Sequence, residues 1–143
     1  MARMPTINRR ILLDDCDAAG VVFGPRIAAL AHHAYEEVLA EVGIDLAALI
    51  RAGEIALPYV HLECEFRAPM QHGDLIAIEV TCGRIGASSY TVHINFSRDQ
   101  GRGPESCARV SQTHVAIACA TRAKIDLPVF IREALAALTV CPS

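Results

Sequence analysis

Asp15-Cys16-Asp17-Ala18-Ala19-Gly20-Val21-Val22-Phe23-Gly24-Pro25 is the stretch that decides how this chain folds. Two carboxylates run through a glycine turn into Gly24-Pro25, and a strongly helical segment follows. Proline suits the first turn of a helix, where its missing N–H would have no partner anyway. The free N–H groups of a helix start can hold negative charge. One short stretch thus offers a carboxylate, Asp17, beside a site for a developing oxyanion. That pairing suits acyl transfer better than plain packing.

Downstream, Ile27, Leu30, Ala31, Ala34, Val38 and Val42 recur at helical spacing, which predicts a helix from Pro25 to about Val42, stopped by Gly43. Its many alanines and two nearly uncharged turns predict burial on most sides. Asp45 to Ala52 reads as a short second helix or turn, ended by Gly53. Upstream, Thr6 to Leu13 reads as a strand entering the motif.

The pattern then changes. Leu57–Phe66, Leu75–Arg84, Ser89–Ser97 and Cys107–Ala120 are rich in strand-forming residues. The turn signals between them are Pro69 with Gly73-Asp74, Gly83 with Gly86, and Gly101-Arg102-Gly103-Pro104. Tyr90, Val92, Ile94 and Phe96 alternate with Thr91, His93 and Asn95, so one face of that strand is buried. Val129–Leu138 reads as a C-terminal helix. Strand, long helix, then four long strands predicts an α+β fold, one central helix wrapped by an antiparallel sheet of about five strands. A doubly wound fold is excluded because strands and helices do not alternate.

The 143 residues fit a single domain over 1–143, and 52% hydrophobic residues supply a core. No apolar run is long enough to span a membrane, and the first residues lack the apolar region of a signal peptide, so a cytoplasmic protein is expected. The formal net charge is −3, with basic residues scattered, which argues against nucleic acid as a partner. The six cysteines form no Cys-x-x-Cys pair, and mostly buried free thiols are expected.

The Asp15–Phe23 motif followed by Pro25 and a helix resembles the signature of the 4-hydroxybenzoyl-CoA thioesterase family of hotdog-fold enzymes. Phe66-Arg67-Ala68-Pro69 with Gly73-Asp74 is similar to the family's link between two strands. The resemblance implies a hotdog fold and hydrolysis of an acyl-CoA thioester, with CoA as part of the substrate and no separate cofactor. It implies sites at a dimer interface and a further pairing into a homotetramer. The second acid, Asp17, falls on the catalytic position, as nucleophile or general base, and the Gly24 N–H polarises the carbonyl. Asp15 takes the structural position, capping or hydrogen-bonding.

Phe23 and Pro25 flank the oxyanion site and are expected at the substrate. Relatives often carry a large residue where Gly24 stands, so the acyl pocket here is expected to be more open. Relatives also carry an acid where this chain has His32, a candidate for a ring substituent of the acyl group, the alternative being a satisfied core histidine. His33 is expected to be such a core histidine. Tyr59 and His61 are candidates to line the acyl pocket of a neighbouring subunit. His61 and Glu63 share a strand face, but no third ligand is spaced to support a metal site. Arg84, Ser88 and Ser89 at one turn, and Arg122 and Lys124 after the last long strand, are the candidates for CoA phosphates, with solvated charge as the alternative for the latter two.

The expected function is hydrolysis of an aromatic acyl-CoA. A short aliphatic acyl-CoA or carrier-protein thioester is the nearest alternative. A hotdog dehydratase, with His32 or His33 paired to Glu36, and a non-catalytic acyl-CoA binder are the alternatives of another class.

Overall fold

The computed structural model describes residues 4–139. In chain order the elements are β1 (Thr6–Arg10), α1 (Gly24–Glu41), α2 (Leu46–Ala52), β2 (Ile55–Ala56), β3 (Tyr59–Phe66), β4 (Leu75–Ile85), β5 (Ser89–Asp99), β6 (Pro104–Val115), β7 (Ile117–Ala118) and α3 (Val129–Ala136). Five strands form one antiparallel sheet in the order β1-β4-β5-β6-β3, and β2 pairs with β7 in a small second sheet. The sheet curls around α1, the hotdog arrangement expected from the sequence.

Strict alternation builds the core. Ile76, Ile78 and Val80 of β4, Val92, Ile94 and Phe96 of β5, and Ala108 and Val110 of β6 turn inward and are buried. They pack on Ile27, Leu30, Ala31, Ala34, Val38 and Leu39 of α1. The outer face is polar and half-buried: Thr91 and Thr113 share a hydrogen bond of 2.9 Å, and the His93 Nδ1 lies 2.8 Å from the Ser111 hydroxyl.

Four expectations change. The first strand ends at Arg10, because the Leu12 N–H turns back to the Asp15 carboxylate and starts a 3-10 turn over Leu13–Asp15. The last long strand breaks at Ala116, whose N–H goes to the Ser88 carbonyl instead of along the ladder. α1 is buried on one face only; His33, Glu36, Glu37 and Glu41 are exposed, as their polar heads require, and Ala40 lies exposed among them. Of the cysteines, Cys82 and Cys107 are buried, Cys16 and Cys64 half-buried and Cys119 exposed, so the thiols are not mostly buried; Cys141 lies outside the described residues.

The helix limits were foreseeable. Gly43 takes a left-handed φ of 96° just past α1. The Asp45 carboxylate caps α2 by accepting the Ala48 N–H at 3.0 Å.

Candidate active site

The Asp15–Pro25 segment is built as a tethered loop. Asp15 is completely buried and accepts hydrogen bonds from the Arg26 Nε at 2.9 Å, an Arg9 Nη at 3.0 Å and the Leu12 N–H at 2.9 Å. Burial alone would raise this carboxyl's pKa; the Leu12 N–H and the two guanidiniums outweigh it and hold the pKa below the usual carboxylate value. The first acid is therefore structural, tying β1 to the first turn of α1.

A bridge between Cys16 and Val22 closes the loop. Inside it, the Asp17 N–H donates to the Val21 carbonyl and the Gly20 N–H to the Asp17 carbonyl, both at 3.0 Å. Gly20 has a φ of 80°, the left-handed region that glycine enters without strain. One Asp17 carboxylate oxygen accepts the Ala19 N–H at 2.9 Å. The other has no protein partner among the described residues, and the side chain is exposed. The Val22 N–H donates to the Met70 carbonyl and the His72 N–H to the Gly20 carbonyl. The β3–β4 connection thus clamps the loop.

Phe23 precedes α1 in an extended conformation and gives it no side-chain cap. The Arg26 and Ile27 N–H groups bond back to the Phe23 carbonyl, and Pro25 has none. Among the described residues the Gly24 N–H, at the positive end of the helix dipole, has no hydrogen-bond partner. Gly24 lines a cavity of about 490 Å³ together with Asp17, Phe23, Ile27, Phe66 and Arg67. Asp17 and the helix start therefore border one space.

A second cavity, of about 450 Å³, begins at Pro25 and runs along α1 past Ala28 and His32, with Tyr59, Leu62 and Gln112 of the sheet opposite. Pro25, His32 and Tyr59 come together here. His32 also borders an apolar pocket of about 300 Å³ under α2. Its Nδ1 is buried without a partner, and its Nε2 is 3.8 Å from Glu36, so it is not a satisfied core histidine. His33 is exposed at the rim, contrary to expectation, because it follows His32 around the helix away from the core. His61 does not join the cavity. It sits on the far face of β3, 3.2 Å from Glu63.

Two residues escaped the sequence reading. Gln112 and His114 are buried on the inner face of β6, where Ala108 and Val110 also point. The signal was there: polar residues at the inward positions of an alternating strand. His114 stacks between Tyr35 and Tyr90, whose hydroxyls hydrogen-bond each other.

The CoA candidates gather at the opposite end of the molecule. The Ala116 N–H bonds to Ser88 and the Leu127 N–H to Ala87, which brings the Arg84–Ser89 turn beside the segment carrying Arg122 and Lys124. The Asp17 loop lies at the Leu75 end of β4 and this cluster at the Ile85 end. Eleven strand residues separate them by roughly 35 Å.

The sequence pattern of the thioesterase-like superfamily matches residues 11–135. A 1,4-dihydroxy-2-naphthoyl-CoA hydrolase of Synechocystis is 33% identical over 123 residues, covering 86% of this chain and 88% of its own. One of Picosynechococcus is 38% identical over 126 residues, covering 85% and 84%. The crystal structure of a 1,4-dihydroxy-2-naphthoyl-CoA thioesterase from Synechocystis superposes with a TM-score of 0.85 at 32% identity, over 93% of this chain and 96% of that one.

Proposed function

Because the chain belongs to the thioesterase-like superfamily and is an acyl-CoA thioesterase, we propose that its substrate is a hydroxylated aromatic acyl-CoA and that Asp17 and the Gly24 N–H carry out the cleavage. The 1,4-dihydroxy-2-naphthoyl-CoA hydrolases at 33% and 38% identity favour a two-ring naphthoyl group over a single 4-hydroxybenzoyl ring. The observation that carries the proposal is one cavity lined by both Asp17, whose side chain is exposed, and Gly24 at the start of α1.

The chemistry follows from those two groups. The thioester carbonyl oxygen accepts the Gly24 N–H, and the helix dipole stabilises the negative charge that builds there. The unbonded Asp17 oxygen then acts in one of two ways. It attacks the carbonyl carbon, expelling CoA as a thiolate and leaving a mixed anhydride that water hydrolyses. Or it takes a proton from water, whose hydroxide attacks, and the tetrahedral adduct collapses with loss of the thiolate. His32, two turns further along α1, faces the acyl group.

The same proposal assigns the site to a homodimer, itself able to pair into a tetramer. Arg84, Ser88, Ser89, Arg122 and Lys124 are too far from Asp17 to serve a thioester in their own subunit. Antiparallel pairing of two β3 edges about a two-fold axis would bring a partner's Tyr59 end, and with it that cluster, toward the Asp17 loop.

Thiol release from a panel of acyl-CoAs tests this reading. Hydroxynaphthoyl- and hydroxybenzoyl-CoA are expected to turn over faster than short aliphatic esters. Asp17→Asn is expected to lower kcat about 10²–10⁴-fold, with the fold unchanged because the side chain is exposed. Full activity in that variant, or hydration of crotonyl-CoA faster than any thioester cleavage, would overturn it.

A further inference from the structure

Gln112 and His114 are each 1% exposed, and the chemistry above uses neither. On β6, Gln112 lies opposite Leu62 of β3 and Val92 of β5, and His114 opposite Tyr59 and Tyr90. The His114 Nδ1 is 2.9 Å from the Leu57 carbonyl oxygen. A carbonyl only accepts, so Nδ1 carries the proton. Burial, partly opposed by the Leu57 bond, pulls the ring's pKa down to about 4. The imidazole is therefore neutral at pH 7, and its Nε2 presents a lone pair.

The Gln112 Oε1 position lies 3.1 Å from that Nε2. The two ends of an amide are told apart by their hydrogen bonds, and an Nε2 lone pair facing a carbonyl oxygen would repel it, so we assign the flipped amide, with NH₂ donating to His114. The carbonyl oxygen then takes the other position, which has no hydrogen-bond partner among the described residues. Gln112 lines the cavity that starts at Pro25, next to the Gly24 N–H, and reaches His32. From Gly24 to His32 is eight residues of helix, about 12 Å. An acyl group held at Gly24 and laid along α1 meets the Gln112 carbonyl.

We propose that Gln112, its amide oriented by His114, is a specificity-determining residue that accepts a hydrogen bond from a ring hydroxyl of the acyl group. The proposal rests on the aroyl-CoA reading above. A substrate with that hydroxyl satisfies a buried acceptor; one without it displaces water and leaves the acceptor bare.

The test compares 1,4-dihydroxy-2-naphthoyl-CoA with 2-naphthoyl-CoA in the unaltered protein and in Gln112→Met. The ratio of their kcat/KM values is compared between the two proteins, which cancels the intrinsic reactivity of each thioester. The preference for the hydroxylated ester is expected to fall at least about tenfold in the variant. An unchanged ratio, or no preference in the unaltered protein, overturns the role of Gln112 while leaving the aroyl-CoA reading standing. Cleavage of aliphatic acyl-CoA with neither naphthoyl ester cleaved overturns both. Nitrogen-15 NMR of the unaltered protein gives a second measurement that does not depend on the variant folding. His114 is expected as the Nδ1–H tautomer, and a proton on Nε2 would overturn the proposal, because Gln112 would then have to turn its carbonyl inward.

Discussion

Asp15 and Asp17 stand two residues apart and have opposite surroundings. Asp15 is sealed among Arg9, Arg26 and the Leu12 N–H; Asp17 is open to a cavity with one oxygen unbonded. Asp15→Asn keeps the size but strips two guanidiniums of their counter-charge. It is expected to cost about 3 kcal/mol in urea unfolding, the low end for a broken buried pair because both arginines keep part of their surface in water. Asp15 stabilises fully above its ordinary pKa of 3.8, and this contribution disappears as pH falls through its lower folded value. The variant should lack that acid limb. His114 acts at higher pH. Unfolded, it takes a proton near its ordinary 6.5; folded, only near 4. Between those values the unfolded chain binds the extra proton, so stability should fall by about 3 kcal/mol as pH drops from 7 to 4. Unfolding curves of His114→Phe across that range should be flatter. The structural role of Asp15 was legible from the motif. Arg26 as a partner of Asp15 was not, since it depends on how the loop folds back onto the helix. Gln112 and His114 carried a signal, their place two and four residues past Val110 on the inward face of β6, but only if the strand's register is followed through polar positions.

At the level of elements, the start of α1 carries most of the argument. Gly24 is helical and directly precedes proline, a position where a Cβ normally crowds the proline ring. Glycine relieves that crowding and leaves the N–H exposed. Apart from its two chain neighbours, a Cβ at residue 24 would meet just the Phe66 ring, at an ordinary 3.5 Å. Gly24→Ala is therefore expected to keep kcat within about threefold, since it keeps the donor. Replacing the Phe23–Gly24 amide by an ester deletes the N–H without adding a side chain, and only weakens the Phe23 carbonyl that accepts the Arg26 and Ile27 N–H groups. That change is expected to lower kcat about 10²–10³-fold with little change in KM, measured by thiol release. Both ends of α1 were readable from Pro25 and Gly43. The ends of β1 and β6 were not, because the bonds that break them, Leu12 to Asp15 and Ala116 to Ser88, join residues through side chain or distant backbone.

The whole molecule leaves β3 at the edge of its sheet, with Val60 64% and Phe66 60% exposed. A long apolar edge of this kind invites pairing. Val60→Glu would add a charge beside Glu63 and Glu65 and repeat all three across a two-fold axis. It should give a monomer by light scattering with thiol release largely lost; a persistent dimer or an active monomer would count against a shared site. The wrapped helix, the sheet and the thioesterase superfamily were legible in the sequence. The finer placement with 4-hydroxybenzoyl-CoA enzymes rested on the motif alone, while the residues proposed to meet the acyl group include some from β3 and β6, far from it. The aromatic residues around His114 also have an optical consequence. The chain has no tryptophan and three tyrosines. Tyr35 and Tyr90 stack on His114, and Tyr59 lies 6.0 Å from the same ring at the cavity wall. The protein's tyrosine emission therefore arises from the neighbourhood of one histidine, and an aromatic acyl group entering that cavity would dim it without any added label.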